Sequence, residues 1–290
     1  MRIAIFGNIY RPVILSHIQV LFEYFHGTPA VILLDKVLYD FVADHGQINL
    51  AGTVIIQDDD FVADLALSIG GDGTFLNTAA RIGRKQIPIL GINTGRLGFL
   101  ADVSTEEIIP ALDAILAQHY RIEERALLFV ETSDGTTFDY PYALNEVSVL
   151  KQDSSSMMSI NASVNGEMVH TYQADGLIVS TPTGSTAYSM SVGGPLVVPQ
   201  AQNIILSPVA SHSLNVRPLI VPDSWVIELE VHSRSQNYLV ALDGRSKILE
   251  HTTKLRIRKA DYTVKIIKQL NHTFFDTLKN KLMWGVDKRN

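Results

Sequence analysis

Gly70-Gly71-Asp72-Gly73-Thr74 sets one acid among glycines, where an apolar run gives way to an amphipathic one. Glycines let a backbone approach a ligand closely. A turn that opens a helix presents N–H groups to an anion, and the helix dipole adds to the attraction. A carboxylate in such a turn would repel a phosphate. It makes sense as the acceptor of a proton from a hydroxyl that attacks the phosphate. A plain glycine turn uses the same residue types. The chain has no G-x-x-x-x-G-K-[ST] run, and these glycines do not follow the G-x-G-x-x-G spacing.

A second concentration of chemistry is Thr181-Pro182-Thr183-Gly184-Ser185-Thr186-Ala187-Tyr188-Ser189, which follows the apolar run Leu177–Ser180 and precedes Gly193-Gly194-Pro195. Hydroxyls, small residues and one Tyr in a tight loop can hydrogen-bond a purine edge or a ribose. Ser and Thr also favour capped turns for purely local reasons. Asn145-Glu146 interrupts the apolar run Tyr142–Leu150. Adjacent side chains on a strand point to opposite faces, so at least one of the two faces a core or a site and needs a partner there. Ala174-Asp175-Gly176 places another acid at the start of the next strand, where a satisfied buried polar group or a turn is the alternative.

Other groupings carry less. Asp58-Asp59-Asp60 reads as a solvated acidic loop before it reads as a metal site. The nine His are scattered, without H-E-x-x-H spacing, and His212 reads as structural. No Gly-x-Ser-x-Gly elbow is present, which disfavours a serine hydrolase. The basic run Lys254–Lys268 interleaves its charges with Leu255, Ile257, Val264 and Ile266, as on a solvated strand face.

These residues need elements to hold them. Strand-like Arg2–Phe6, Ala30–Leu34, Asp64–Ile69 and Pro88–Ile92 alternate with helical patterns at Pro12–Phe25, Lys36–His45 and Phe75–Arg81. Gly46 reads as a helix-ending C′ residue. Ser104 and Glu107 make a capping box before a helix at Glu106–Gln118. Such alternation predicts a parallel sheet covered by helices. Beyond about Tyr120 the pattern turns to short strands: Leu127–Thr132, Tyr142–Leu150, Ser159–Val164, Met168–Tyr172, Leu177–Ser180, Val226–His232, Tyr238–Leu242 and Lys254–Lys259. Asp134-Gly135, Asn165-Gly166 and Asp243-Gly244 mark turns, and Asn165-Gly166 is the clearest hairpin. The fold expected is α/β followed by all-β: a Rossmann-like domain over 1–119 and a sandwich of two packed sheets over 120–265. A helical tail over 266–290, with helical spacing at Phe274–Lys288, is expected to pack back on the first domain. Ser154-Ser155-Ser156 reads as a short polar loop.

Composition narrows the classes. The chain has 290 residues, a length that suits about two domains. It is 46% hydrophobic and 19% charged, which rules out wholesale disorder. A net charge of −6 argues against a nucleic-acid partner. With no cysteine, the chain forms no disulfide, thiolate zinc site, iron–sulfur centre or thiol nucleophile. No apolar run approaches about 20 residues, and Met1–Phe6 reads as a strand rather than a signal peptide, so no membrane partner is expected. A cytoplasmic location is the expectation.

Taken in order, Gly70–Thr74, Asn145-Glu146, Ala174–Gly176, Thr181–Ser191 and Gly193-Gly194-Pro195 resemble the NAD kinase family. Gly91–Leu100 and Arg217-Pro218-Leu219 strengthen the resemblance, which runs from about Gly70 to Arg245. The glycine–aspartate turn alone also occurs in lipid kinases and phosphofructokinases. The resemblance implies an N-terminal α/β domain and a C-terminal β-sandwich. It implies phosphoryl transfer from ATP or another phosphate donor to the 2′-hydroxyl of the adenosine ribose of NAD, giving NADP. Asp72 matches the family's general base, with Gly73 beside it in the turn. Asn145, Glu146, Asp175 and Thr186, Ala187, Tyr188, Ser189, Met190 and Ser191 match its dinucleotide-contacting positions, and Phe99 is expected near adenine. Asp243 matches an acidic position near the site, with Arg245 two residues on. A divalent ion, Mg²⁺, is expected on substrate phosphates rather than in a protein cage. Homo-oligomers, commonly tetramers whose subunits complete one another's sites, are implied too. The chain departs from the family pattern twice. Leu76 and Asn77 stand where a basic residue is common, and Arg245 stands where Gln is frequent. A diacylglycerol-type lipid kinase and a non-catalytic dinucleotide sensor are the competing readings.

Overall fold

The computed structural model describes residues 1–95, 98–152, 157–270 and 272–285. Arg96-Leu97 of the Gly91–Leu100 motif, the Ser154–Ser156 loop and the end of the helical tail beyond 285 lie outside the described residues. The chain divides into a first unit, Met1–Glu124 with the chain from Val264 onward, and a second, Arg125–Thr263.

In the first unit the elements alternate as the periodicity predicts. They run β1 (Arg2–Gly7), α1 (Ile14–Phe25), β2 (Val31–Asp35), α2 (Lys36–His45), β3 (Val54–Ile56), β4 (Leu65–Gly70), α3 (Asp72–Ile82), β5 (Ile89–Asn93) and α4 (Ile108–Leu116). The strands pair in parallel in the order β3-β2-β1-β4-β5. Apolar strands such as Leu65–Gly70, buried throughout, suit a sheet with both faces covered. Ile14, Ile18 and Leu21 of α1, Leu38 and Val42 of α2, and Ile108 and Leu112 of α4 supply the cover, in one cluster with Ile3, Ile5, Leu67 and Ile92. The predicted capping box forms, with Ser104 N–H donating to Glu107 at 3.0 Å. Gly46 ends α2 with extended backbone (φ −98°), rather than in the left-handed conformation expected of a C′ glycine.

The chain reverses its direction of travel across this sheet between β1 and β4. At such a switch point the loops leaving the two strands diverge, and the crevice outside their carboxyl ends is where α/β sheets bind ligands. Gly70 ends β4 at that edge.

The second unit is antiparallel. Its strands are β6 (Tyr120–Thr132), which enters from the first unit, β7 (Tyr142–Ala143), β8 (Glu146–Lys151), β9 (Met158–Val164), β10 (Glu167–Ala174), β11 (Gly176–Ser180), β12 (Asn203–Val209), β13 (Leu219–Pro222), β14 (Ile227–His232), β15 (Asn237–Leu242), β16 (Arg245–Glu250) and β17 (Leu255–Gln269); a single turn of helix, α5 (Tyr188–Ser191), follows β11. One sheet has the order β13-β12-β11-β8-β15-β16. The other pairs β10-β9-β14 with the start of β17. Alternate residues of both sheets, such as Ile160, Ala162 and Val164 on β9 and Val147, Val149, Leu177 and Val179 on β8 and β11, close one apolar core. This is the expected sandwich. Asn165-Gly166 makes the expected hairpin, with φ of 51° and 81° between paired β9 and β10.

Two expectations are corrected. Tyr142–Leu150 is not one strand, because it breaks at Leu144-Asn145. The N–H groups of Leu144, Asn145 and Glu146 donate to the Asp243 carboxylate at 2.7, 2.8 and 3.1 Å, so a side chain replaces the ladder there. Asn145 and Glu146 are therefore not alternating residues of a regular strand. The basic run does form a strand, β17, but Lys268 is not on a solvated face. Its ammonium is buried and bonds Asp102 at 2.6 Å. The far end of β17 joins the first unit, where Ile266 pairs in parallel with Ile89. There α6 (Phe274–Leu282) follows it.

Candidate functional site

In the first unit, Gly71 is the N-cap of α3 and Asp72 its first residue, an acid at the positive end of the helix dipole. The Asp72 carboxylate is held from across the sheet edge. One oxygen accepts the N–H groups of Leu100 (3.0 Å) and Ala101 (3.1 Å), and the other that of Phe99 (3.0 Å). Such a run of amides is an anion cradle. Gly98 makes it possible, since a Cβ there would stand 2.9 Å from the Asp72 carboxyl carbon and 2.8 Å from Ala101 O. Buried Asn93 at the end of β5 holds the same loop, donating to Ala101 O at 3.2 Å and accepting the N–H of Gly95 at 2.7 Å. Gly73 is exposed on the first turn of α3.

The C-terminal helix reaches this carboxylate. Lys281 Nζ lies 3.5 Å from Asp72 Oδ2 and 4.4 Å from the centroid of the Phe99 ring. Phe274 on the same helix lies 6.2 Å from Phe99, centroid to centroid. Upstream of the helix, the buried Asp102 carboxylate bonds Lys268 at 2.6 Å and faces His272 at 3.3 Å. Lys268 and His272 hold the Asp102 carboxyl below its ordinary range against the cost of burial, and its hydrogen bond raises His272.

In the second unit, three segments far apart in sequence are fastened together. Thr181 N–H donates to Asn145 O at 2.9 Å, and its hydroxyl donates to Leu144 O at 2.6 Å. Gly184 passes so close that a Cβ would lie 2.8 Å from Asn145 Cα. Asp243, in the turn between β15 and β16, binds the three amides of 144–146 and donates its own N–H to Glu146 O at 3.1 Å. Arg245 donates to Tyr142 O at 2.6 Å and stacks over Tyr140 at 5.1 Å.

Burial, with the Asp243 carboxylate as a second cause, pushes Glu146 up from 4.5 to about 8, although the backbone N–H of Tyr188 pulls the other way. Burial likewise raises Asp243, against its amide bonds and Arg245. Glu146 Oε2, Asn145 Oδ1 and Arg245 Nη1 are buried atoms without a hydrogen-bond partner among the described residues. Buried polar atoms are seldom left so, because the desolvation cost goes unrecovered. A ligand with matching donors and acceptors would satisfy them.

The structure thus groups Asp72, Gly73 and Phe99 in one unit. In the other it groups Asn145, Glu146, Arg245 and the Thr186–Ser191 stretch, in which Tyr188 is exposed and Thr186, Ala187 and Met190 are half-buried. Ser189 is fully buried, its hydroxyl 3.1 Å from that of Ser207, and Ser191 is exposed. Asp175 does not join this group within the chain. Register pairs Ser180 with Glu146 but Gly176 with Leu150, so Asp175 sits beyond the opposite end of β11, about 17 Å of strand away, paired with Lys151 at 2.6 Å. Asp59 binds Arg81, and no group of three or more His, Asp or Glu is placed to hold a metal ion among the described residues. Sequence reasoning missed Lys281 and Asn93. Phe274, Leu278 and Lys281 share one helix face by their i, i+4, i+7 spacing, which was the available signal for Lys281.

Comparison with known proteins decides what these constellations belong to. The family model described as the ATP-NAD kinase N-terminal domain matches residues 45–120, and that of the ATP-NAD kinase C-terminal domain matches residues 144–269. An NAD kinase of Bacteroides fragilis is 51% identical over 289 residues, covering 100% of both chains. The chain belongs to the NAD kinase family. Other NAD kinases are similar over nearly their whole length, at 42% identity in Porphyromonas gingivalis (99% of both chains) and 40% in Cytophaga hutchinsonii (100% of both). A structure of an Archaeoglobus fulgidus NAD kinase in complex with ATP matches with a TM-score of 0.77 at 26% identity, over 98% of this chain and 99% of that one. Yeast NADH kinase complexed with NADH shares the fold, with a TM-score of 0.91 at 20% identity over 99% of this chain and 88% of that one. Membership in the NAD kinase family makes the chain an enzyme, a kinase, and removes the lipid-kinase reading. No helix among the described residues is long and apolar enough to cross a membrane.

Proposed function

We propose that this chain transfers a phosphoryl group from ATP, or another phosphate donor, to the 2′-hydroxyl of the adenosine ribose of NAD, with Asp72 as general base. The observation that carries this reading is the held carboxylate at the switch edge of the parallel sheet. Three amides and Gly98 fix its direction, while 30% of its side chain stays open to an incoming hydroxyl. A carboxylate has about four acceptor positions, and the amides take three. As the hydroxyl oxygen bonds to phosphorus, its proton passes to Asp72. The bond to the leaving phosphate breaks, and the electron pair leaves with it. In the second unit Asn145 Oδ1, Glu146 Oε2 and Arg245 Nη1 are the groups a dinucleotide satisfies, and exposed Tyr188 covers it. Within that unit Thr186 and the rest of the loop line its path. A divalent ion such as Mg²⁺ would be held by the donor's phosphate oxygens and would supply charge neutralisation there. The reading also carries assembly into a homo-oligomer, a tetramer being favoured, which sedimentation checks, and a cytoplasmic location, which fractionation checks.

The test is formation of NADP from NAD with a panel of donors, with and without EDTA. Asp72→Asn is expected to fold, to bind NAD in calorimetry, and to lose about 10²–10⁴ in turnover. EDTA is expected to abolish turnover. Near-normal turnover by Asp72→Asn overturns the assigned base.

A further inference from the structure

We propose that Lys281 of the C-terminal helix is a catalytic cation of the transfer step, its ammonium binding the oxygens of the donor's terminal phosphate. The inference rests on the reaction proposed above and adds a residue to it. Phosphoryl transfer gathers negative charge on the equatorial oxygens of the moving group, and fixed cations aimed there lower the barrier. Helix α3 brings no such cation beside Asp72, because Leu76 and Asn77 occupy its second turn. The next cation along α3, Arg81, is tied to Asp35 at 2.8 Å and to Asp59. Lys85 donates to the carbonyls of Arg81 and Ile82, at 2.9 and 3.1 Å, and Lys268 is taken by Asp102. Arg11 lies against Gly95. Lys281 alone among these faces the Asp72 carboxylate.

Its contact there is loose. At 3.5 Å it is longer than the 2.7–2.9 Å of a tight charge-assisted bond. The ammonium thus takes the acceptor position that the amides leave, the position a substrate hydroxyl must occupy. When the hydroxyl arrives, the ammonium gives way, and the nearest new negative charge is on the phosphoryl group the hydroxyl attacks. A flexible four-carbon stem permits that swing.

The helix itself is anchored and does not have to be recruited. Thr273 and Asp276 form a capping box at its start, Thr277 and Leu278 are buried, and Phe274 meets Phe99. Asp102 fixes His272 one residue before the cap. The same loop that cradles Asp72 therefore carries, at 99 and 102, the contacts that aim Lys281.

The test is steady-state kinetics on the full chain with ATP and NAD varied separately, and calorimetry with inorganic triphosphate as an anion probe. Lys281→Met is expected to lower kcat/KM for ATP about 10²-fold, to leave KM for NAD within about twofold, and to weaken triphosphate binding. Lys281→Arg should restore most of the loss. Lys279→Met removes the same charge from an exposed position of the same helix and should change little. Wild-type ATP kinetics with unchanged triphosphate binding in Lys281→Met overturns the proposal. So does a loss shared equally by ATP and NAD with a lowered melting temperature, which would mark a structural strap. If the wild-type chain makes no NADP with any donor, the reaction assignment fails; the triphosphate comparison still decides whether Lys281 binds phosphate.

Discussion

Glu146→Gln removes an ionisation that the fold opposes while keeping the shape of the side chain. The carboxyl is displaced from 4.5 to about 8 by burial and by Asp243. At about 1.4 kcal/mol per pH unit, that displacement amounts to about 5 kcal/mol. The sign follows from linkage. The folded chain holds the proton more tightly than the unfolded one, so the advantage of a neutral Glu146 is complete below about 4.5 and is lost as pH rises through about 8. Above that pH the wild-type second unit carries a buried, unpaired carboxylate next to another. Gln is neutral at every pH and can still accept the Tyr188 N–H. The variant should match the wild type near pH 4.5 and exceed it at pH 9. Water entering the pocket returns part of the cost, leaving a gain of about 2–4 kcal/mol. For a chain of 290 residues that is about 3–7 °C in melting temperature. Calorimetric scans of both proteins at the two pH values measure it. Equal melting temperatures at pH 9 would show that Glu146 ionises freely and that its burial has been misread.

Two further outcomes are expected. His272 is raised by its hydrogen bond to Asp102, so its contribution is complete below its ordinary 6.5 and is lost as pH rises through the raised value. The melting-temperature gap between wild type and His272→Gln should therefore be present at pH 6 and shrink by pH 9, and a gap that grows would refute the pairing. Tyr188→Ala removes the exposed ring of the hydroxyl-rich loop and should raise KM for NAD more than KM for ATP, whereas equal effects would count against a dinucleotide role for that loop.

Periodicity made the elements around the site legible. Apolar runs such as Leu65–Gly70 and the two-residue alternation of β9 follow directly from side-chain order, and the Asn165-Gly166 turn from backbone preference. Short or edge elements escaped, since β3, β13 and β16 bury few residues and carry little alternation, and so did the interior strand β12, whose five consecutive buried residues show no two-residue period. Tyr142–Leu150 misled for a different reason. Its hydrophobicity is that of a strand, and only the Asp243 carboxylate, about a hundred residues away, breaks it.

By itself, then, the order of residues determined most of the strands and helices, which turn could present an acid to a phosphate, and which family the chain resembles. These properties are local: they depend on side-chain period, glycine geometry and short spacings. Tertiary structure alone decided that three amides of one loop hold Asp72, that a lysine more than 200 residues along the chain faces it, that Glu146 is starved of solvent, and that Asp175 lies at the far end of its strand from Glu146. Direction, desolvation and charge pairing depend on what the folded chain brings near, and linear spacing does not encode that distance.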